Sequence, residues 1–455
     1  MSLPFLNRIS ELSRLRRAFD TGSPLVAVYG RRRLGKSRLL REAVADRPSA
    51  WYVADRRDAA LQRESLAREI GRTLPRFDAV VYPDWDSLFE RLYSAAPQGF
   101  VMALDELPEL VVTSPELPSV LQRHVDVAAG RLTLALCGSS QTMMHGLVLD
   151  ATTPLYGRAT EILKLRPLNA HWLREALDVT SPSELVEWWA LLGGVPRHWE
   201  LARGRPFWDA MRDLVLDPLG PLHAEPDRLL RDDIADPTRA SSILALVGQG
   251  CHRTSEIAGR VGVPASDLAR PLARLCDLGF LRREVPFGLT LRDTKRTRYS
   301  LGDPFLRFWY RFVDPNRSLL EAGVFDLAMD LIRRDFRTHL GGIWEDLSLD
   351  AVPWLTTELP RAGVAGRWWG TAAGGPVELD VVAAFAGAPG HLVGAAKLTI
   401  TPQEAEPLLE DLRRRAARVP NMSGPIEPVL FVLDVPPALA GHPRVIGPAQ
   451  VMVAR

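Results

Sequence analysis

At 455 residues the chain is too long to fold around one core, so roughly two to four domains are expected. Apolar content is ordinary, the formal net charge is +1 and no repeat or low-complexity tract occurs, so no whole-chain field favours nucleic acid or membrane and any such partner must be met locally. Three widely spaced cysteines, nine histidines without H-x-x-x-H or H-E-x-x-H spacing, and no basic-then-apolar leader or spanning apolar run argue against a disulfide framework, a zinc site or a membrane segment; the cytoplasm is the expected compartment.

In chain order, residues 4 to 19 place Ile9, Leu12, Leu15 and Phe19 near one helical face, with Arg14, Arg16 and Arg17 mostly opposite. Ahead of a phosphate loop such a segment can close over a base, or it can serve packing alone. Leu25 to Tyr29 reads as a buried parallel strand. Gly30-Arg31-Arg32-Arg33-Leu34-Gly35-Lys36-Ser37 then matches G-x-x-x-x-G-K-S, and Arg38 onward returns to apolar residues at helical spacing. The spacing has a physical cause. Glycines let backbone N–H groups crowd round a phosphate, and the helix start adds its positive dipole end. Lys36, one of four lysines in an arginine-rich chain, would reach the β- and γ-phosphates, and Ser37 would place its hydroxyl on Mg²⁺.

Trp51 to Val53 is a second strand. Phe100 to Leu104 is a third, ending in Asp105 and Glu106, where Asp105 would hold the Mg²⁺ shell and Glu106 would orient the attacking water. Leu132 to Gly138 is a further buried strand, ending in Ser139 and Ser140, either of which could sense the γ-phosphate. Strands alternating with helices predict an α/β fold with a parallel sheet and ligands at the strands' carboxyl ends. Arg158, beside the turn at Gly157 and ahead of a short strand, could report phosphate state or form a structural ion pair.

Residues 170 to 235 are helical, interrupted by Gly193-Gly194-Val195-Pro196-Arg197, and read as a lid. From 241 to 302, three helices and a hairpin read as a winged helix, with Pro271 kinking the third helix or delaying its start. Ten basic residues stand against five acidic ones between 251 and 300. Arg270 and Arg274, one turn apart, could face a major groove while Lys295, Arg296 and Arg298 grip phosphate, which makes double-stranded DNA an expected partner; packing on protein is the competing explanation. Phe305 to Phe312 is dense in aromatics at helical spacing and reads as a hydrophobic junction between domains.

Taken together, the phosphate loop, Leu104-Asp105-Glu106, Cys137-Gly138-Ser139-Ser140, Leu155-Tyr156-Gly157-Arg158, Gly193-Gly194-Val195-Pro196 and Tyr299 to Trp309 resemble archaeal-type ATPases of the STAND division of the AAA+ group. The resemblance implies a nucleotide-driven switch with a P-loop core (1–168), a lid (169–237), a winged helix (238–304) and a restriction-endonuclease-like domain (305–455). It implies that Gly194 and Pro196 approach the base. In the last domain Glu345, Asp380 and Lys397 match the nuclease pattern, but Ala395 stands where that pattern needs Glu. A methyl group cannot ligate a metal, so this nuclease site is expected to be degenerate.

The chemistry expected is therefore ATP binding with Mg²⁺ and ATP hydrolysis. Lys36, Glu106 and Arg158 are the catalytic candidates, residues Gly30 to Arg38 with Gly194 and Pro196 the nucleotide contacts, and Ser37 and Asp105 the metal ligands. Two other classes stay open: an ATP-bound DNA-binding regulator or scaffold without turnover, and an ATP-gated, Mg²⁺-dependent nuclease. A homo-oligomer or protein partner is compatible with each.

Overall fold

The computed structural model describes residues 3–127, 130–292 and 296–453. Five strands, β1 (Leu25–Tyr29), β2 (Ser49–Val53), β3 (Phe100–Asp105), β4 (Leu132–Gly138) and β5 (Glu161–Lys164), form one parallel sheet in the order β2-β3-β4-β1-β5. The three inner strands are buried at every position, as uninterrupted apolar runs must be when helices cover both sheet faces. The two outer strands, β2 and β5, mix buried with half-buried or exposed residues. One face packs Val26, Val28, Ala103 and Cys137 against Leu39 and Leu40 of the helix Lys36–Val44, and the other packs Leu25, Met102 and Leu136 against Leu66, Ile70 and Phe89.

Helices from Pro182–Leu192 to Glu225–Asp233 make up the segment expected to act as a lid. Three helices come next, Pro237–Gly248, Thr254–Val261 and Ala269–Asp277, then an antiparallel hairpin of β6 (Leu281–Glu284) and β7 (Arg298–Leu301). Pro271 delays the third helix. A 3₁₀ turn at Ala265–Leu268 precedes it, and the proline falls in its first turn, where its missing N–H leaves no bond unmade.

The aromatic side chains of this stretch are buried: Phe305, Phe308, Trp309 and Tyr310 are solvent-free, and Trp309 Nε1 donates to His223 O of the lid. It joins lid, three-helix unit and carboxy-terminal domain in one continuous apolar cluster. That domain is a second five-stranded sheet, ordered β12-β11-β10-β9-β8, from β8 (Gly366–Ala372), β9 (Gly375–Ala384), β10 (His391–Thr399), β11 (Ile426–Asp434) and β12 (Val445–Ile446). The helix Phe325–Ala351 covers the face bearing Val381, Leu392 and Phe431, and the helix Ala405–Ala416 covers the face bearing Leu379, Val393 and Ala395. Gly366 pairs with Val382 but Trp368 pairs with Leu379, so β9 carries one extra residue, a bulge at Asp380–Val381. Among the described residues no helix is long and apolar enough to cross a membrane.

Candidate nucleotide site

The loop between β1 and its helix lies at the carboxyl ends of the strands, and its backbone needs its glycines. Gly30 has φ +147°, and a Cβ there would sit 2.7 Å from Leu165 O; Gly35 caps the helix at φ +87°. Lys36 is buried, and its ammonium donates to Gly30 O at 2.9 Å, Arg31 O at 3.0 Å and Ser139 Oγ at 2.9 Å. Burial pulls its pKa below the ordinary lysine value, with the charges of Glu106, Asp105 and Asp233 pulling back.

Ser37 Oγ donates to Asp105 Oδ2 at 2.6 Å, so the two expected Mg²⁺ ligands converge. Both are hard oxygen donors, and the set fits a cation that keeps waters and phosphate oxygens as its other ligands. Glu106, at φ +52°, accepts from Ser139 N at 3.0 Å and Ser139 Oγ at 2.6 Å. Ser139 therefore links Lys36 to Glu106. Ser140 turns the other way, toward Asp233 Oδ1 of the lid at 3.2 Å, while capping the helix Gln141–Val148.

The three arginines inside the loop reach out to other elements. Arg31 pairs with Asp303 at 3.0 Å, both all but buried, and lies 5.2 Å over the Phe280 ring. Arg32 pairs with Asp232 at 3.4 Å and Arg33 with Glu225 at 2.7 Å, both carboxylates belonging to one lid helix. Burial pushes Glu225 up, with Arg33 pulling back most strongly. Spacing identified these arginines as loop residues but gave no sign of their partners, the farthest of which is 272 positions away.

Arg38 donates to Leu3 O at 2.6 Å and lies 5.9 Å over the Phe5 ring. Beside Gly35 is a small recess lined by Pro4, Phe5, Leu34, Leu168 and Pro196. Pro196 thus lies next to the loop. Gly194 packs its backbone against Leu168 instead, its carbonyl accepting from Leu168 N at 2.8 Å, in an approach too close for a side chain.

Several expected residues do not join the site. Arg158 precedes β5 at the amino-terminal end of the sheet, opposite the loop, and pairs with Asp126 at 2.7 and 2.9 Å. Arg270 is exposed, but Arg274 is half-buried, turned toward the core where its charge acts on Asp233 and Lys164. The end of that helix is fixed to the core by Lys164 Nζ on Asp277 O and Gln141 Nε2 on Leu278 O. Arg298 pairs with Glu378 at 2.8 Å and stacks 4.6 Å over Trp369, and Arg296 lies against Gly370. These two meet protein, since an acidic, aromatic face satisfies a guanidinium as a phosphate does. Lys295 lies outside the described residues.

In the carboxy-terminal domain Glu345 and Asp380 approach each other. Burial raises Glu345, with Asp380 adding to the effect, but Arg367 sits 3.4 Å from it. The neighbouring Asp346 receives Arg367 at 2.6 Å, Arg307 at 2.8 Å and Arg282 at 3.5 Å. Burial opposes ionisation of Asp346, but these guanidinium groups outweigh it and hold the carboxyl well below its usual range. Asp380 accepts from Ala396 N at 3.0 Å. Lys397 is exposed, two residues beyond the buried Ala395 and on its face of the sheet, the one opposite the helix that carries Glu345. The three nuclease-pattern residues are thus split across the sheet, and among the described residues no group of three or more His, Cys, Asp or Glu side chains is arranged to hold a metal.

Residues 5–201 match a family described as an ATPase domain predominantly from Archaea. Residues 309–405 match a family of archaeal and bacterial proteins of unknown function. The chain is 30% identical over 371 residues to the uncharacterized protein MJECL04 of Methanocaldococcus jannaschii, a match covering 80% of this chain and 82% of that one. Among solved structures, the Walker-type ATPase PABY2304 of Pyrococcus abyssi shares the fold with a TM-score of 0.53 at 22% identity, over 68% of this chain and 96% of its own. The ORC2 protein of Aeropyrum pernix, solved as ADPNP–ADP complexes, aligns over 71% of this chain and 96% of its own with a TM-score of 0.46 at 16% identity. With its P-loop sheet, archaeal-type ATPase domain and separate carboxy-terminal sheet, the chain belongs to the family of the Methanocaldococcus jannaschii protein.

Proposed function

We propose that the protein is an ATP-hydrolysing molecular switch whose lid, three-helix unit and carboxy-terminal domain respond to the nucleotide held at Gly30 to Arg38. The observation that carries this reading is the linked set Lys36–Ser139–Glu106 beside Ser37–Asp105. Backbone amides of the loop and Lys36 bind the phosphates, and the base lies on the side of Gly35 that carries Phe5 and Pro196. Ser37 and Asp105 hold Mg²⁺, which neutralises charge on the phosphate oxygens when bound. Glu106 aligns a water for in-line attack, and Ser139 fixes that carboxylate through two hydrogen bonds.

Lys36→Ala abolishes ATP binding in calorimetry, whereas Glu106→Gln retains binding and lowers phosphate release by roughly a hundredfold or more. Unchanged turnover in both variants sinks the assignment. Tight nucleotide retention with no phosphate release in the wild type would instead make the chain a nucleotide-bound scaffold.

Duplex DNA ranks second as a partner. Of the basic residues expected to grip it, Arg270 is exposed with no ion pair among the described residues, while Arg298 faces the carboxy-terminal sheet. We regard the three-helix unit with its hairpin as a winged helix used mainly as a protein-packing module, and the carboxy-terminal domain as a restriction-endonuclease-like fold without nuclease activity.

A further inference from the structure

Strand β2 stands at one margin of the ATPase sheet and pairs only with β3. Val101 N donates to Pro48 O and Ala54 N to Asp105 O, so the even-numbered residues of β2 turn their backbone groups to β3. Trp51 and Val53 turn theirs to the open side. Among the described residues those outward N–H and C=O groups have no hydrogen-bond partner, whereas Ser49 O is taken by Thr73 Oγ1 at 2.8 Å. A long open edge of this kind is a template for another strand unless something covers or charges it.

Here the edge is charged, with arginines in excess: four line it against one carboxylate, Glu69. A groove along β2 has Trp51 and Val53 in its floor and Arg41, Arg57, Arg68 and Arg72 along its sides. Three of these arginines have carboxylate neighbours, Asp55, Glu64 and Glu69, in pairs open to solvent. Such pairs hold weakly and exchange readily with an incoming carboxylate. Arg41 has no carboxylate in ion-pair range among the described residues and lies 5.1 Å over the Trp51 ring. The indole Nε1 of Trp51 is buried with no acceptor. Val53, half-exposed, adds an apolar contact in line with the free backbone groups.

We propose that this groove receives an extended acidic segment of a partner protein, added as a further strand along β2. Its main chain bonds to Trp51 and Val53, and carboxylates on alternate residues meet the arginines of one sheet face, either Arg41 beside Trp51 or Arg68 and Arg72 on the opposite side. Single-stranded nucleic acid suits the groove less. Arg41 covers one face of the Trp51 ring and the rest packs toward the core, leaving little surface for a base, and a phosphodiester chain cannot use alternating strand donors and acceptors.

The full chain is titrated with a fluorescein-labelled octapeptide alternating Asp and Thr, read by fluorescence anisotropy. Saturable binding is expected, weakened roughly tenfold or more by combined Arg41→Glu and Arg68→Glu substitution. A peptide with Pro in place of each Thr keeps the charge, loses the strand donors and binds comparably weakly; this arm needs no change in the protein and stands even if the double variant folds poorly. The proposal is overturned by absence of binding, by equal affinity for the proline peptide, or by displacement with a thymidine oligonucleotide at lower concentration than unlabelled acidic peptide. It is also overturned if sedimentation finds a wild-type dimer that the double variant loses, which would assign the edge to a second copy of the chain.

Discussion

Asp303→Asn tests how firmly the phosphate loop is tied to the rest of the chain. Asp303 does two jobs: Oδ1 accepts from Phe305 N at 2.9 Å and caps the helix Pro304–Phe308, and Oδ2 accepts from Arg31 Nη1 at 3.0 Å. Asparagine caps nearly as well as aspartate, so the substitution isolates the ion pair. Arg31 and Asp303 are 6% and 3% exposed, and removing one charge of such a pair leaves the other buried without a counter-ion. That costs about 3 kcal/mol, the low end of the range because the Phe280 ring 5.2 Å away retains some attraction for the guanidinium. The thermal midpoint of the unit should fall by roughly 6–12 °C. Trp199, whose Nε1 donates to Gly193 O beside Asp303, is a nearby fluorescence reporter. Arg31→Met loses a similar amount, and the double variant recovers about 2 kcal/mol relative to the sum. Because Lys36 Nζ bonds Arg31 O, Asp303→Asn also weakens ATP binding. Additive single and double effects would refute the pairing.

Asp346→Asn leaves Arg282, Arg307 and Arg367 facing a neutral amide, and destabilises the carboxy-terminal domain by roughly 3–5 kcal/mol in urea denaturation. Burial lowers the pKa of His339 to about 3 and of His198 to about 4. The unfolded chain therefore binds protons first, and stability falls as pH drops below an unfolded value of about 6.5, by at most about 1.4 kcal/mol per pH unit for each imidazole. Urea midpoints at pH 7, 6 and 5 show this slope, and His339→Phe reduces it; an identical slope in that variant would exclude His339 as the source.

Where a residue's position is set by its neighbours in sequence, it was legible. The uninterrupted apolar runs of β1, β3 and β4 required cover on both sides, and the loop spacing put Lys36 and Ser37 at the start of their helix, where Ser37 meets Asp105. What sequence concealed was the counter-charge. The basic residues Arg296 and Arg298 carry the same signal whether the facing anion is a phosphate or Glu378, and only the fold chooses between them. Likewise, Lys397 has the right spacing from Ala395 for a nuclease, but which side of the sheet carries the helical acid is a tertiary matter.

One helical turn connects the two ends of the molecule. Asp303 holds Arg31 of the phosphate loop, and Arg307, whose N donates to Asp303 O at 3.0 Å, holds Asp346 of the carboxy-terminal domain at 2.8 Å. Between them Phe305 and Leu306 are solvent-free, so the turn cannot flex without opening the core around it. Gly193 of the lid presses on the same point, since at φ +59° a Cβ there would meet Asp303 Oδ1 at 2.6 Å. Loop, lid and carboxy-terminal domain therefore share Asp303 to Arg307 as a common rigid contact. A shift of the loop large enough to move Arg31 must either break a buried ion pair or carry this turn with it, and the pair is the costlier of the two to lose wherever the turn can move as one body.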